Sequence, residues 1–245
     1  MDLQTFSQYF EAIFRANKME KYVNQETVSR FYTLTVRMLE VNEHMNLTAI
    51  TDPAAVILRH YADSLTASEY LPEGAHVVDI GCGAGFPTLP LAIVRPDLEI
   101  LALDSTAKRI RYVAETAELL GLHNVTAVTS RAEDGAAPEN GAWRETFDVA
   151  ISRAVANLPV LCELCLPYVR VGGKFVAMKA AQAAEELTAA RGAIQKLGGG
   201  NVTNIPLELV TDGEKEERNL ILIEKIGRTP KNYPRNYAQI KKKPL

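Results

Sequence analysis

The sequence predicts an α/β protein: a mostly parallel β-sheet covered by helices on both faces, ending in an antiparallel hairpin strand and preceded by a helical extension. Three observations predict it. From about residue 75 onward, short β-branched runs alternate with longer helical stretches, the pattern of a parallel sheet with crossover helices. The last two strand-like runs are joined by a polar connection too short for a crossover, so they should pair as a hairpin. The first 70 residues or so carry helical periodicity alone. The expected organisation is a helical cap over 1–70, a ligand-binding α/β domain over 71–228 and a basic tail over 229–245.

The elements follow in order. Phe6, Tyr9, Phe10, Ile13 and Phe14 recur at helical spacing, as do Val28, Phe31, Tyr32, Thr35 and Leu39. Pro53 suits the first turn of a helix running through Ala54 to Tyr70. Ala75 to Ile80 is a bounded, β-branched run and reads as a buried strand. Phe86 to Val94 is apolar and helical, Leu98 to Leu103 a strand, and Ala107 to Leu120 an amphipathic helix stopped by Gly121. Asn124 to Val128 and Phe147 to Ile151 are strands, Leu158 to Val169 a helix, and Lys174 to Met178 a strand after a Gly172-Gly173 turn. Gln182 to Leu197 reads as a helix. Leu207 to Val210 and Leu220 to Lys225 form the closing hairpin around Asp212-Gly213.

Composition bounds the function. The 245 residues are 47% hydrophobic and 23% charged, ordinary values for a chain that buries a core. No stretch reaches the length of about 20 apolar residues that spans a bilayer, and the N-terminus shows no signal peptide. Three cysteines, Cys82, Cys162 and Cys165, suit a reducing cytosol. The Cys162-x-x-Cys165 pair lies in an apolar helical stretch without a second ligand pair, so no metal site is expected. The net charge of −3 argues against indiscriminate nucleic-acid binding. Yet Lys225, Arg228, Lys231, Arg235, Lys241, Lys242 and Lys243 fall within the last 21 residues, without an Asp or Glu. Tyr233 and Tyr237 interleave them, and aromatic faces can stack on bases while cations hold phosphates.

The first strand leads into Asp79-Ile80-Gly81-Cys82-Gly83-Ala84-Gly85 and then a helix. Glycines let the backbone turn sharply and approach a ligand, and amides at a helix start favour a carboxylate or phosphate. The dinucleotide fingerprint would need a third glycine where Phe86 stands. Asp79, at the strand end beside donor amides, matches a ligand carrying both ammonium and carboxylate. Asp104 ends the second strand about 20 residues after the loop, where a carboxylate can accept ribose hydroxyls. With the terminal hairpin, these features indicate a class I methyltransferase using S-adenosyl-L-methionine. Gly81, Gly83, Gly85 and Phe86 form its loop. Arg131-Ala132-Glu133, after the third strand, would edge the adenine pocket, although Glu133 could equally cap the turn that follows. Ser152-Arg153-Ala154, at the end of the fourth strand, would face the transferred methyl, and Arg153 could instead belong to a surface ion pair. An Asn/Asp-Pro-Pro-aromatic tetrapeptide and a strand-end nucleophilic cysteine are both missing there. A guanine N7 acceptor needs neither, because N7 has a lone pair and no proton to lose.

Taken together, Asn46-Leu47-Thr48-Ala49-Ile50, Arg59 to Leu65, Asp79 to Ile93, Leu103-Asp104-Ser105 with Lys108-Arg109, Arg131-Ala132-Glu133, Ser152-Arg153-Ala154, Arg218-Asn219-Leu220, Tyr233-Pro234-Arg235 and Lys243-Pro244-Leu245 closely resemble the bacterial 16S ribosomal RNA guanine-N7 methyltransferases of the small subunit, the glucose-inhibited division protein B family. The resemblance covers about Asn42 to Leu245. It implies a monomeric cytoplasmic enzyme that methylates N7 of one guanine, nucleotide 527, in the decoding-region loop of 16S rRNA. It implies cofactor contacts at Gly81, Phe86, Ala132, Glu133 and Arg153, with Arg153, Asp63 and His60 as catalytic candidates. It implies an RNA face made from Asn46, His60, Asp63, Arg153, Arg218, Tyr233, Arg235 and Lys243. Two positions depart from the family: Thr88 stands where glycine is usual, and Ala180 follows Lys179 where Lys-Gly is usual. A small-molecule methyltransferase and a non-catalytic ribosome-assembly factor that keeps the fold are the alternative readings.

Overall fold

The computed structural model describes residues 1–180, 183–211 and 213–245. Helix α1 (Leu3–Ala16) starts where Asp2 accepts a hydrogen bond from the Thr5 amide, and α2 (Gln25–Met45) starts where Asn24 does the same for Thr27. Such caps each contribute about 1 kcal/mol. Next, α3 (Pro53–Val56) runs on through a π-helical stretch (Ile57–Ala62) into α4 (Asp63–Leu65). The single helix expected over Ala54–Tyr70 therefore contains a widened turn, a feature often found at functional sites.

The α/β part alternates β1 (His76–Ile80), α5 (Thr88–Val94), β2 (Glu99–Asp104), α6 (Ala107–Leu119), β3 (Val125–Thr129), α7 (Ala132–Gly135), β4 (Phe147–Arg153), α8 (Leu158–Cys165), β5 (Val169–Lys179) and α9 (Ala183–Lys196). It closes with β6 (Gly199–Thr211), β7 (Glu214–Lys225) and a short α10 (Tyr237–Lys242). The strands form one seven-stranded sheet in the order β3-β2-β1-β4-β5-β7-β6. Strands β1 to β5 are parallel, whereas β7 is antiparallel to both β5 and β6. The sequence expectation of a parallel sheet finished by a hairpin thus holds.

Several boundaries differ. Helix α8 stops at Cys165, and β5 already pairs at Val169 with Phe147, so Gly172 and Gly173 lie inside the strand. Register jumps there, from Phe147–Val169 to Val149–Lys174, and a Cβ on Gly173 would lie 2.4 Å from the Asp148 carbonyl. Both hairpin strands are longer than expected. On the edge strand β6 most residues are exposed or half-buried, so its apolar signal is thin. The expected start of α9 at Gln182, and Asp212 of the hairpin turn, lie outside the described residues.

Alternation along the strands divides the core in two. Val77, Ile100, Ala102, Val149, Ile151, Val176 and Leu220 face α1, α2, α3, α5 and α6. Val78, Ile80, Leu101, Leu103, Ala150, Phe175 and Ile221 face α8, α9 and the C-terminal segment. The N-terminal helices share the first core with the sheet. Phe6, Phe10, Phe14, Phe31 and Tyr61 are fully buried in it, each contributing about 1.5–3 kcal/mol, whereas Tyr9 lies outside, exposed. Among the described residues, no helix is long and apolar enough to cross a membrane.

Candidate active site

The order in which strands are added to the sheet reverses between the parallel neighbours β1 and β4, and a crevice at such a switch point, beyond the carboxyl ends of the strands, is where ligands bind in open α/β sheets. A cavity of about 490 Å³ opens there. The strand ends supply Ile80, Leu103, Asp104 and Arg153 to its wall, and the loops after them supply Gly81, Gly83, Phe86, Ala132 and Glu133. Leu47 and His60 come from the helical extension and Tyr237 from the C-terminal segment.

Gly81, Gly83 and Gly85 all have positive φ, a conformation costly for residues with a Cβ. Their roles differ. Gly81 and Gly83 line the cavity, whereas a Cβ on Gly85 would lie 2.5 Å from Leu89 Cδ1, so Gly85 serves the packing of the loop on α5. Asp79 is fully buried and does not line the cavity. Thr88, the departure from the family pattern, donates its hydroxyl proton to Asp79 Oδ2 at 2.6 Å. Asp79 Oδ1 has no partner among the described residues. Burial outweighs the Thr88 hydrogen bonds and raises the Asp79 carboxyl to about 6. The Cys82 thiol in the wall is likewise pushed up, by burial and then by the Asp79 charge, and stays protonated.

Asp104 continues the alternation of Ile100 and Ala102 and arrives in the wall at the end of β2. Its Oδ1 accepts from the Thr106 amide at 2.8 Å and its Oδ2 from the Gly83 amide at 3.1 Å, tying the second strand end to the glycine loop. Ala132 and Glu133 follow β3, and the Ala132 carbonyl accepts from the Tyr168 hydroxyl at 2.7 Å. Thr106 and Arg109, which sequence reasoning passed over as site residues, also line the cavity.

In the cavity wall, the His60 and Phe86 rings stack at 4.5 Å with 7° between planes, and the Arg153 guanidinium lies 5.4 Å from the Phe86 centroid. Arg153 Nη2 lies 3.4 Å from His60 Nδ1. A guanidinium can only donate, so Nδ1 is the acceptor and Nε2 carries the proton toward Thr48 Oγ1, 2.8 Å away. Burial and then the Arg153 charge hold His60 far down, at about 3. The imidazole is neutral.

Arg153 belongs to a closed circuit. Its Nη1 donates to Asp63 Oδ2 at 2.8 Å and to the Arg59 carbonyl at 2.9 Å. Asp63 Oδ1 accepts from Arg218 Nε at 3.0 Å, Glu216 Oε2 from Arg218 Nη2 at 2.7 Å, and Glu216 Oε1 from Arg59 Nε at 2.6 Å. Arg59 and Asp63 face the same way because they lie four residues apart on one helical stretch. The antiparallel hairpin delivers Glu216 and Arg218 to them. Sequence reasoning found Asp63, Arg153 and Arg218 but missed Glu216. The i,i+4 spacing of Arg59 and Asp63 was the one available signal for Arg59.

The basic tail is built into the fold. Lys225 is buried, bonded to the Thr229 hydroxyl and the Leu166 carbonyl. Tyr233 is buried too, so its ring offers no open face for a base. The Arg235 guanidinium donates to both oxygens of the fully buried Glu163, at 2.9 and 2.6 Å. Asn46 caps the C-terminus of α2 in the left-handed conformation, exposed, one residue before Leu47 of the cavity wall. Lys231, Lys241, Lys242 and Lys243 are exposed. Cys162 and Cys165 are buried free thiols, both raised by burial. Lys179 pairs with Glu186 at 2.7 Å, and Asn219 donates to the carbonyl of exposed Ala180, the second departure.

A sheet of this order, with a glycine loop and a strand-end carboxylate around its switch-point cavity, defines an α/β protein of the methyltransferase fold. Solved structures agree on that fold. An S-adenosylmethionine-dependent methyltransferase from Aquifex aeolicus is similar with a TM-score of 0.52 at 18% identity, over 77% of this chain and 98% of that one. The TYW2 protein of M. jannaschii, solved in complex with AdoMet, is similar with a TM-score of 0.51 at 17% identity, over 67% and 75%. The family model described as GidB, rRNA small subunit methyltransferase G, matches residues 24–220. Curated proteins named ribosomal RNA small subunit methyltransferase G are similar throughout. That of Limosilactobacillus fermentum is 48% identical over 89% of each chain, and that of Clostridium perfringens strain 13 is 41% identical over 97% of this chain and 99% of its own. The chain belongs to the rRNA small subunit methyltransferase G family.

Proposed function

We propose that this protein is a monomeric cytoplasmic methyltransferase that uses S-adenosyl-L-methionine to methylate N7 of a guanine in the decoding-region loop of 16S rRNA. The observation that carries the reading is one cavity whose wall holds Asp104, residues of the glycine loop, Arg153, His60 and Phe86 together. The cofactor fits the residues present. The volume is in the range of small-molecule sites, about 300–1,000 Å³. Asp104 offers a carboxylate to ribose hydroxyls, and Ala132 and Glu133 border the adenine.

When bound, the cofactor supplies an electrophilic methyl group for in-line transfer. The chain's own residues bind and orient. Asp104 and the Gly81–Gly85 loop fix one end of the ligand. Arg153, held by Asp63 and the Arg59 carbonyl, keeps a cation in the cavity wall, complementary to the O6 edge of guanine. Phe86 and His60 give a flat, uncharged layer that excludes water. Neutral His60 need take no proton, because N7 attacks with a lone pair. Rate enhancement then rests on alignment. The open cations Lys231, Lys241, Lys242 and Lys243, with the outer edge of the Arg59–Arg218 circuit, would meet the RNA backbone.

The test is methylation of purified small ribosomal subunits and of bare 16S rRNA with methyl-labelled cofactor, followed by mapping of the label. Label at a guanine N7 in the decoding-region loop is expected. Label at no guanine N7 overturns the proposal.

A further inference from the structure

The C-terminal segment, which composition marks as an RNA contact, reaches the ligand cavity itself. Tyr237 lines the cavity, as do Ala132, Glu133 and Leu164. It packs against the apolar cluster of the second sheet face, together with Ala132. Phe86 belongs to the first-face cluster and borders the cavity from that side. The cavity is therefore bordered by one aromatic ring from each core.

The position of Tyr237 is built. Glu163 and Leu164 are adjacent on α8: Leu164 lines the cavity, and Glu163, fully buried, accepts from the Arg235 amide and guanidinium. Two residues later comes Tyr237. Asn236 between them accepts from the Gln239 amide at 3.0 Å and fixes the start of α10 at Tyr237, while Ile240 is fully buried behind it. Upstream, Arg144 donates to the carbonyls of Thr229 and Tyr233, both at 2.8 Å. A merely solvated tail requires none of these ties.

We infer that Tyr237 forms an aromatic wall of the cofactor pocket, stacking on the purine of an adenine nucleoside, with Arg235 and Glu163 as its positioning residues. The inference rests on the proposed use of S-adenosylmethionine and assigns a ligand-binding residue to the segment after the catalytic sheet. A tyrosine face suits a purine through stacking, and Ala132 and Leu164 add apolar surface to the same cavity.

The test is calorimetric binding of S-adenosylmethionine and S-adenosylhomocysteine to the full chain, to Tyr237→Phe, Tyr237→Leu and Tyr237→Ala, with a thermal melt of each. Both ligands carry the same purine, so both should weaken alike, by about tenfold or more in Tyr237→Ala and Tyr237→Leu, while Tyr237→Phe stays within about twofold. Tyr237→Leu retains apolar packing and keeps the test open if the alanine variant does not fold. A folded Leu or Ala variant with unchanged affinity for both ligands overturns the inference and points to contact with the RNA instead. Failure of the unaltered chain to bind either ligand would overturn the proposed function as well, which separates the two failures.

Discussion

The Thr88 hydroxyl donates to Oδ2 of Asp79 at 2.6 Å, inside the fold and behind the glycine loop. It is the one side-chain partner of a carboxyl whose other oxygen has none among the described residues. Thr88→Val keeps the shape and removes the donor. At pH 8, where Asp79 is ionised, this should cost about 1–3 kcal/mol in urea unfolding. The same pair sets a pH dependence. Asp79 titrates at about 6 in the fold, above its usual 3.8, so the fold prefers the neutral acid. Its contribution to stability is complete below the unfolded value and is lost as pH rises through about 6. Unfolding of wild type and Asp79→Asn at pH 5 and pH 8 should show wild type gaining on the variant at pH 5. A gain at pH 8 would contradict the assignment.

His60 behaves oppositely. Burial and Arg153 hold it at about 3, below its usual 6.5. The unfolded chain takes up the proton first, so the stability His60 lends is present above 6.5 and is lost as pH falls toward 3. Between pH 7 and pH 5, wild type should lose more stability than His60→Gln. Nuclear magnetic resonance of ring-labelled His60 should find the neutral tautomer protonated on Nε2 throughout that range. A titration midpoint near 6.5 would refute this and reopen a proton-transfer role.

Asp63 neutralises two guanidinium groups, and its side chain is 11% exposed. Asp63→Asn leaves both arginines without their shared counter-charge and should destabilise the fold by about 3 kcal/mol. Glu216 is more exposed, at 24%. Glu216→Gln should fold with a loss of less than about 1 kcal/mol and yet lower methylation, because Arg218 and Arg59 are released from the circuit around Arg153. Chemical denaturation and single-turnover labelling of the two variants check the ranking. Equal stability losses would contradict it.

Tail cations should separate into two kinds. Removing a phosphate-binding lysine flattens the plot of log affinity against log salt by about 0.7–0.9 per contact. Lys243→Ala should show such a change in RNA binding. Arg235→Ala should leave the salt slope nearly unchanged and instead lower thermal stability, because its charge is spent on Glu163. A full unit lost from the slope in Arg235→Ala would assign it to the RNA.

Much of the site was legible because it is local. The glycine loop, Asp104, Ala132, Glu133 and Arg153 all sit at strand ends, and a parallel sheet brings strand ends together. What was not legible is long-range. Glu216 reaches Arg59 only through the hairpin, and Glu163 reaches Arg235 across 72 positions. Nothing in either local sequence indicates a partner. The tail misled for a related reason: seven cations in a row of residues describe charge but not burial, and Lys225 and Arg235 are consumed inside the fold.

The sequence by itself determined the architecture and the position of the cavity. Period-two strands, helical spacings and loop glycines are properties of neighbouring residues, and right-handed crossovers leave few ways to assemble them. Tertiary structure alone decided which charges are free and which are spent. It buried Asp79, expected at the cofactor, against Thr88, made His60 neutral, and moved Tyr237 into the cavity wall. These outcomes depend on desolvation and on partners distant in the chain, and neither quantity is written in the order of the residues.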